Sequence, residues 1–160
     1  MLQLHPQRQE GLDWHTISFS GKADLEKNCG QKIKSWNYNN PTFIIMRDND
    51  GADCIALKAR LECKVQHLGK PYKIRLVCQE LESWFLGDLT AVQAAYPASN
   101  ALQNHSKATY RDPDSLTNAS ELLSQITGTK AKVGRAQSIA KHLSLAQNTS
   151  TSFNVFLQTL

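Results

Sequence analysis

Apolar residues recur at two different periods along this chain, and the switches between the periods mark out its elements. Over Ala23 to Trp36 they fall at Leu25, Cys29, Ile33 and Trp36, the spacing of one helical face, with Lys22, Lys27, Lys32 and Lys34 left for solvent. After Pro41 the pattern becomes an unbroken run, Thr42 to Met46, whose length and β-branched character predict a strand buried on both faces. Ala52 to Leu68 returns to helical spacing, with Ile55, Leu61, Val65 and Leu68 inward and Leu57 on the flank, and it stops at Gly69 and Pro71. Tyr72 to Cys78 predicts a second strand through Ile74, Leu76 and Val77, and Glu80 to Tyr96 a helix through Leu81, Trp84, Phe85, Leu89 and Val92. Strands joined by a helix of that length are best paired in parallel, through a right-handed crossover.

The second half is more helical. Ser120 to Ile126 and Arg135 to Leu143 are apolar-periodic, and Phe153, Val155, Phe156 and Leu157 form a closing apolar element whose type the pattern leaves open. His15 to Phe19 alternates as a short strand or an extended lead-in would. Tyr96 to Ser106 and Gln147 to Ser152, rich in Asn, Ser, Thr and Ala, read as solvated connections. The expectation is an α/β fold: one three-layer domain over residues 1–160, a small parallel sheet flanked by helices, a more helical C-terminal half and a poorly defined lead-in over 1–18.

Composition narrows the function classes. A chain of 160 residues with 18 Lys and Arg against 14 Asp and Glu fits one compact domain with a net charge of +4. No apolar run approaches the roughly 20 residues that cross a bilayer, and residues 1–10 are polar instead of signal-like, so a soluble, cytoplasmic protein with no membrane partner is expected. Cys29, Cys54, Cys63 and Cys78 lack CxxC spacing, which predicts thiols and no structural zinc. A charge of +4 permits a polyanionic partner without indicating one.

The chemistry should lie outside the carboxyl ends of the strands, where loops and helix N-termini of an open parallel sheet converge. Asp48, Asp50 and Asp53 follow the first strand, and Glu80 and Glu82 follow the second. Carboxylates from two neighbouring loops repel one another unless a cation lies among them, and hard oxygen ligands suit Mg²⁺ or Mn²⁺. Asp48 and Asp50, two apart on extended backbone, project to one side of the chain and are the stronger metal candidates. Asp53 is better read as the complement of a positive helix N-terminus, and Glu82 as a residue of a wet first helical turn. An EF-hand starting at Asp48 fails at Ala52 and Ala59, and no P-loop or dinucleotide fingerprint occurs. Strand-Asp-x-Asp-Gly is similar to haloacid-dehalogenase-type phosphatases, but Ala52 stands where those have Thr or Val and no later paired-acid loop is found. Lys130, Lys132, Arg135, Lys141 and His142 gather in one basic stretch that, with Lys107, Arg111 and Arg75, could bind phosphate oxygens. For any one of them taken alone, a solvated helix face is the preferred reading.

Several blocks together resemble one family. Gly21-Lys22-Ala23-Asp24-Leu25-Glu26, Arg47 to Cys54, Leu57-Lys58, Cys78 to Asp88, Tyr110-Arg111-Asp112-Pro113-Asp114 and Asn148 to Phe153 are similar to successive blocks of the DUF4276 family, from about Phe19 to Leu157. That family is similar to Toprim-like proteins, the fold shared by topoisomerases, primases and OLD-type nucleases, and its genes are met beside ATPases in bacterial defence loci. The resemblance implies a Toprim-like site: a first-strand Glu as acid or base, and a DxD holding Mg²⁺ for phosphodiester chemistry. Asp48 and Asp50 match the DxD, and Glu80 and Glu82 the Glu-Leu-Glu block. The first-strand Glu has no counterpart, which implies a shortened chain or impaired catalysis. Lys132-Val133-Gly134-Arg135-Ala136-Gln137 stands where the family has Lys-Val-Ser-Gly-Ala-Arg, with the Arg two positions early.

Two functions follow as expectations. One is a Mg²⁺-dependent Toprim-like nuclease, with metal on Asp48, Asp50 and Asp53, catalytic Glu80 and Glu82, phosphate on Lys132, Arg135 and Arg111, and a nucleic acid as partner. The other is a catalytically impaired interaction module that pairs with an AAA- or ABC-type ATPase or as a homodimer, because a lost edge strand exposes unpaired backbone.

Overall fold

The computed structural model describes residues 9–38 and 40–160; of the lead-in expected over 1–18, residues 1–8 lie outside the described residues. The fold is mixed α/β, with a two-stranded parallel sheet flanked by helices. Its contacts divide it into two compact units. Unit one takes the described residues up to Arg47, Asp53–Arg75 and Leu160; unit two takes Asp48–Ala52 and Leu76–Thr159.

Unit one contains α1 (Lys22–Lys34) and α2 (Cys54–Val65), together with most of β1 (Phe43–Asp48) and β2 (Tyr72–Val77). The apolar stripe of α2 is Leu57, Leu61 and Val65, all at most 2% exposed, whereas Ile55 is 82% exposed. Leu57 is thus central and not flanking: residues 57, 61 and 65 repeat every four positions, and residue 55 lies about 200° around the helix from 57. α1 buries Cys29 and Ile33 against α2, and a Cβ at Gly30 would meet the Lys64 carbonyl oxygen at 2.9 Å, so glycine permits the close approach. α2 closes with a 3₁₀ turn, Gln66–Leu68, and Gly69 at φ +65°. The Lys70 ammonium then donates to the Ile33 carbonyl at 2.8 Å, in the last turn of α1, where that oxygen also accepts from Trp36 N–H at 3.3 Å.

Phe43 N–H donates to Pro71 O, and Asn49 N–H to Val77 O, with the same sequence offset, as parallel pairing requires. The expected burial of β1 on both faces does not occur: Ile45 is its one fully buried residue, because two strands leave each one an edge. Residues 15–19 form no strand.

Unit two holds α3 (Glu82–Leu86), α4 (Leu89–Ala95), α5 (Ala119–Thr127), α6 (Lys132–Ala140) and α7 (Thr151–Leu157). Its core joins Phe85, Leu86, Leu89, Val92, Leu123 and Ile139. The single helix expected over 80–96 is broken at Gly87-Asp88. Asp88 caps α4, its Oδ1 accepting from Ala91 N–H at 2.9 Å, while Oδ2 accepts from Ser144 N–H at 2.7 Å. α6 begins three residues earlier than its apolar period indicates. The closing apolar element is a helix, capped by Ser150.

Gln147 to Ser152 is solvated only at alternate positions, Gln147, Thr149 and Thr151 being exposed. Asn148, Ser150 and Ser152 are buried, and their polar atoms are partnered. Asp114 accepts from Ser150 Oγ–H and from Ser152 N–H, each at 2.7 Å. Trp84 Nε1–H donates to Ser152 Oγ at 2.8 Å, and Asn148 Nδ2 donates to the Trp84 carbonyl at 2.7 Å. The Trp84 ring stacks on Phe156 at 5.1 Å and meets Phe153 edge-on at 5.3 Å. Three of the sequence blocks, around Trp84, Asp114 and Ser150, therefore interlock. Among the described residues no helix is long and apolar enough to cross a membrane.

Candidate carboxylate site

The site lies in unit two, where the chain leaves the two strands. Asp48 is the last residue of β1, and the turn that follows is fastened to the segment after β2 by Asn49. Asn49, 7% exposed, receives Gln79 N–H on its side-chain oxygen and donates from Nδ2 to the Ala52 carbonyl at 3.2 Å. Asp50 N–H in turn donates to the Gln79 carbonyl at 3.2 Å. Asp50 and Gln79 both sit in the left-handed region, at φ +49° and +60°, which is uncommon for side-chain-bearing residues. These bonds hold both loops in one register.

Asp48 is half-buried. Its carboxyl is pushed up to about 6, first by burial and then by the negative charges of Asp50, Glu82 and Glu80, with Lys132 opposing them. Carboxylates from both loops thus bear electrostatically on Asp48. Asp53 stands apart: its Oδ1 accepts from Ala56 N–H at 2.7 Å, so it caps α2 and belongs to unit one. Arg111 is exposed just after a 3₁₀ turn, Ala108–Tyr110.

The two glutamates differ. Glu80 accepts from the Ser120 backbone N–H at 2.8 Å, in the first turn of α5. Glu82 is 9% exposed and not on a wet turn; its Oε1 accepts from Ser120 Oγ–H at 3.0 Å and from Arg135 at 3.2 Å, with the Lys132 ammonium 3.7 Å away. Arg135 is itself buried, and its other nitrogen donates to the Thr129 carbonyl at 2.8 Å. Its guanidinium thus braces Glu82. Glu80, Ser120, Lys130, Lys132 and Arg135 line a cavity of about 610 Å³.

Among the described residues no three His, Cys, Asp or Glu side chains converge as a metal-holding group. The donor set does not fit a preformed three-ligand centre. Mg²⁺ is usually held by one or two carboxylates with the remaining positions left to water and a phosphate ligand, and Asp48 and Asp50 are the residues that would supply those carboxylates. Asn49, Gln79 and Ser120 support this arrangement without having stood out in the sequence. The position of Asn49 inside the DxD was its available signal.

Crowding at Asp48 has a measurable consequence. Its folded value lies above the ordinary 3.8, so the folded state resists ionisation and loses stability as pH rises from about 4 through 6. Asp48→Asn removes that cost. After allowance for solvent screening, the substitution is expected to stabilise the protein by on the order of 1 kcal/mol at pH 7.5 and by nothing at pH 4. Urea unfolding at the two pH values checks this, and an equal effect at both would reject the assignment.

No curated protein and no solved structure matches the chain. The model of the family described as "Domain of unknown function (DUF4276)" matches residues 3–160, and this chain belongs to that family.

Proposed function

We propose that this DUF4276 member is a divalent-metal-dependent phosphodiesterase acting on nucleic acid, with its chemistry at Asp48, Asp50 and Glu80. The observation that carries the reading is the crowding of Asp48 by Asp50, Glu82 and Glu80 at the carboxyl ends of parallel strands. An acid whose proton is held on by burial and by neighbouring negative charge is primed to exchange that proton for a cation.

Mg²⁺ or Mn²⁺ on Asp48 and Asp50 would supply neutralisation of phosphate charge and acidification of a bound water. The remaining roles belong to the chain. Lys130 and Lys132, on the cavity that Glu80 also lines, offer ammonium groups to phosphate oxygens. Glu80, held in place by Ser120 N–H, has a second carboxyl oxygen with which to orient or deprotonate water. Arg135 acts as a positioning residue, fixing Glu82 so that its charge bears on Asp48.

Calorimetric titration with Mn²⁺ tests the reading. The native protein is expected to give a saturable binding heat that Asp48→Ala/Asp50→Ala reduces by at least about tenfold in affinity, roughly 1.4 kcal/mol or more. Indistinguishable traces from the two proteins would remove the proposal.

A further inference from the structure

Glu80 and Glu82 lie in the middle of a short segment, Cys78 to Trp84, and both ends of that segment are tied to one atom. Ser152 Oγ receives Trp84 Nε1–H at 2.8 Å and Cys78 N–H at a longer 3.4 Å. With two donors already pointing at that oxygen, its own proton turns the other way, to Asp114 Oδ1 at 3.1 Å. The same carboxylate accepts from Ser150 Oγ–H and from Ser152 N–H. Three incoming hydrogens require an acceptor-only group, which a carboxylate is and an amide is not. Ser150 is fully buried, and Ser152 and Trp84 are 8% and 5% exposed. A buried polar network with its members satisfied fixes one geometry, whereas apolar contacts of equal size permit sliding.

We infer that Asp114 and Ser152 are positioning residues for the carboxylate site, holding the segment that presents Glu80 and Glu82. The inference rests on the reading proposed above for its chemistry, while the geometry it asserts can be measured without metal or substrate. Asp114 acts through Ser152, and Ser152 acts through the backbone and indole of the segment. Within the segment Ser83 N–H donates to the Glu80 carbonyl at 3.0 Å and Trp84 N–H to the Leu81 carbonyl at 3.1 Å, so a shift at Trp84 is passed on to the glutamates. Backbone conformation points the same way. Gln79, next to Glu80, stands at φ +60°, and a residue of that kind keeps such a conformation where its surroundings over-determine it. Cys78 N–H on Ser152 and Gln79 N–H on Asn49 are the bonds that do so.

The test is amide hydrogen exchange, read by NMR on the full chain in EDTA, for native protein, Asp114→Asn and the milder Ser152→Ala. Gln79 N–H, bonded to Asn49 Oδ1, and Ser120 N–H, bonded to a Glu80 oxygen, report on the segment. Val92 N–H, bonded to the Asp88 carbonyl within the core of the unit, reports on global opening. Each variant is expected to speed exchange at Gln79 and Ser120 by about tenfold more than at Val92. Equal acceleration at all three amides would mean that the contacts merely stabilise the unit, and no acceleration at Gln79 and Ser120 that they do not hold the segment; either result would overturn the inference. In Mg²⁺, cleavage of a labelled single-stranded oligonucleotide should show kcat lowered by about tenfold with KM within about twofold, and a loss confined to KM would also overturn it. If the native protein neither cleaves the oligonucleotide nor binds Mn²⁺, the reading proposed above fails, and the exchange pattern still decides whether Asp114 and Ser152 hold the segment.

Discussion

Arg135→Met is expected to lower the free energy of unfolding by about 3 kcal/mol. Arg135 is 2% exposed and bridges the Glu82 carboxylate, at 3.2 Å, to the Thr129 carbonyl, at 2.8 Å. Without it Glu82 keeps Ser120 and Lys132, but the Lys132 side chain is 64% exposed and screened by water, so a buried charge loses its principal counter-ion. Breaking such a pair costs far more than the pair contributes, because its desolvation has already occurred on folding. The double variant Glu82→Met/Arg135→Met should therefore recover most of the lost stability. Urea unfolding of the two proteins decides the matter, and a single variant within about 1 kcal/mol of native would refute the bracing role.

Gly87→Ala should cost about 2 kcal/mol for a different reason. A Cβ there would lie 2.9 Å from Ser150 N and 3.1 Å from Asn148 Cγ. Neither can retreat cheaply: Ser150 is fully buried, Asn148 donates to the Trp84 carbonyl, and Thr149 N–H donates to the Gly87 carbonyl at 3.0 Å. Gly87 has φ −69°, so the penalty is steric overlap and not backbone strain. Gly134→Ala is the control. It lies within α6 with nothing within 4 Å of the added methyl, and it should be neutral or stabilising by up to about 1 kcal/mol. Thermal denaturation that ranked the two alanine variants equally would count against the close approach.

The sequence exposed those parts of the fold in which one period persists over enough residues. α1, β1, β2 and α5 lie close to where apolar spacing predicts them. The break at Gly87 was hidden because Trp84, Phe85, Leu89 and Val92 keep helical spacing across it, while its cause, Asn148 and Ser150, lies some 60 residues further along. The Gln147 to Ser152 segment misled in the opposite direction. Its letters are those of a solvated loop, and only the placement of Asp114 and Trp84 turns them into interior groups. Within the site, Asp48, Asp50, Glu80 and Glu82 could be gathered from the rule that strand ends converge. What could not be read was their division of labour. Glu82 has a buried cation and Asp53 has a helix cap, and both partners depend on which segments pack nearby.

Asn49 gives the Asp-Asn-Asp run its meaning. Its amide side chain closes a small ring of contacts with Gln79 and Ala52, and the backbone that carries the two aspartates is tied to the segment after β2 through it. A search for relatives that admits any middle residue would collect chains bearing the same two acids on loops free to part. Asparagine at the centre, rather than the acidic pair alone, is the signature by which an equivalent geometry should be sought.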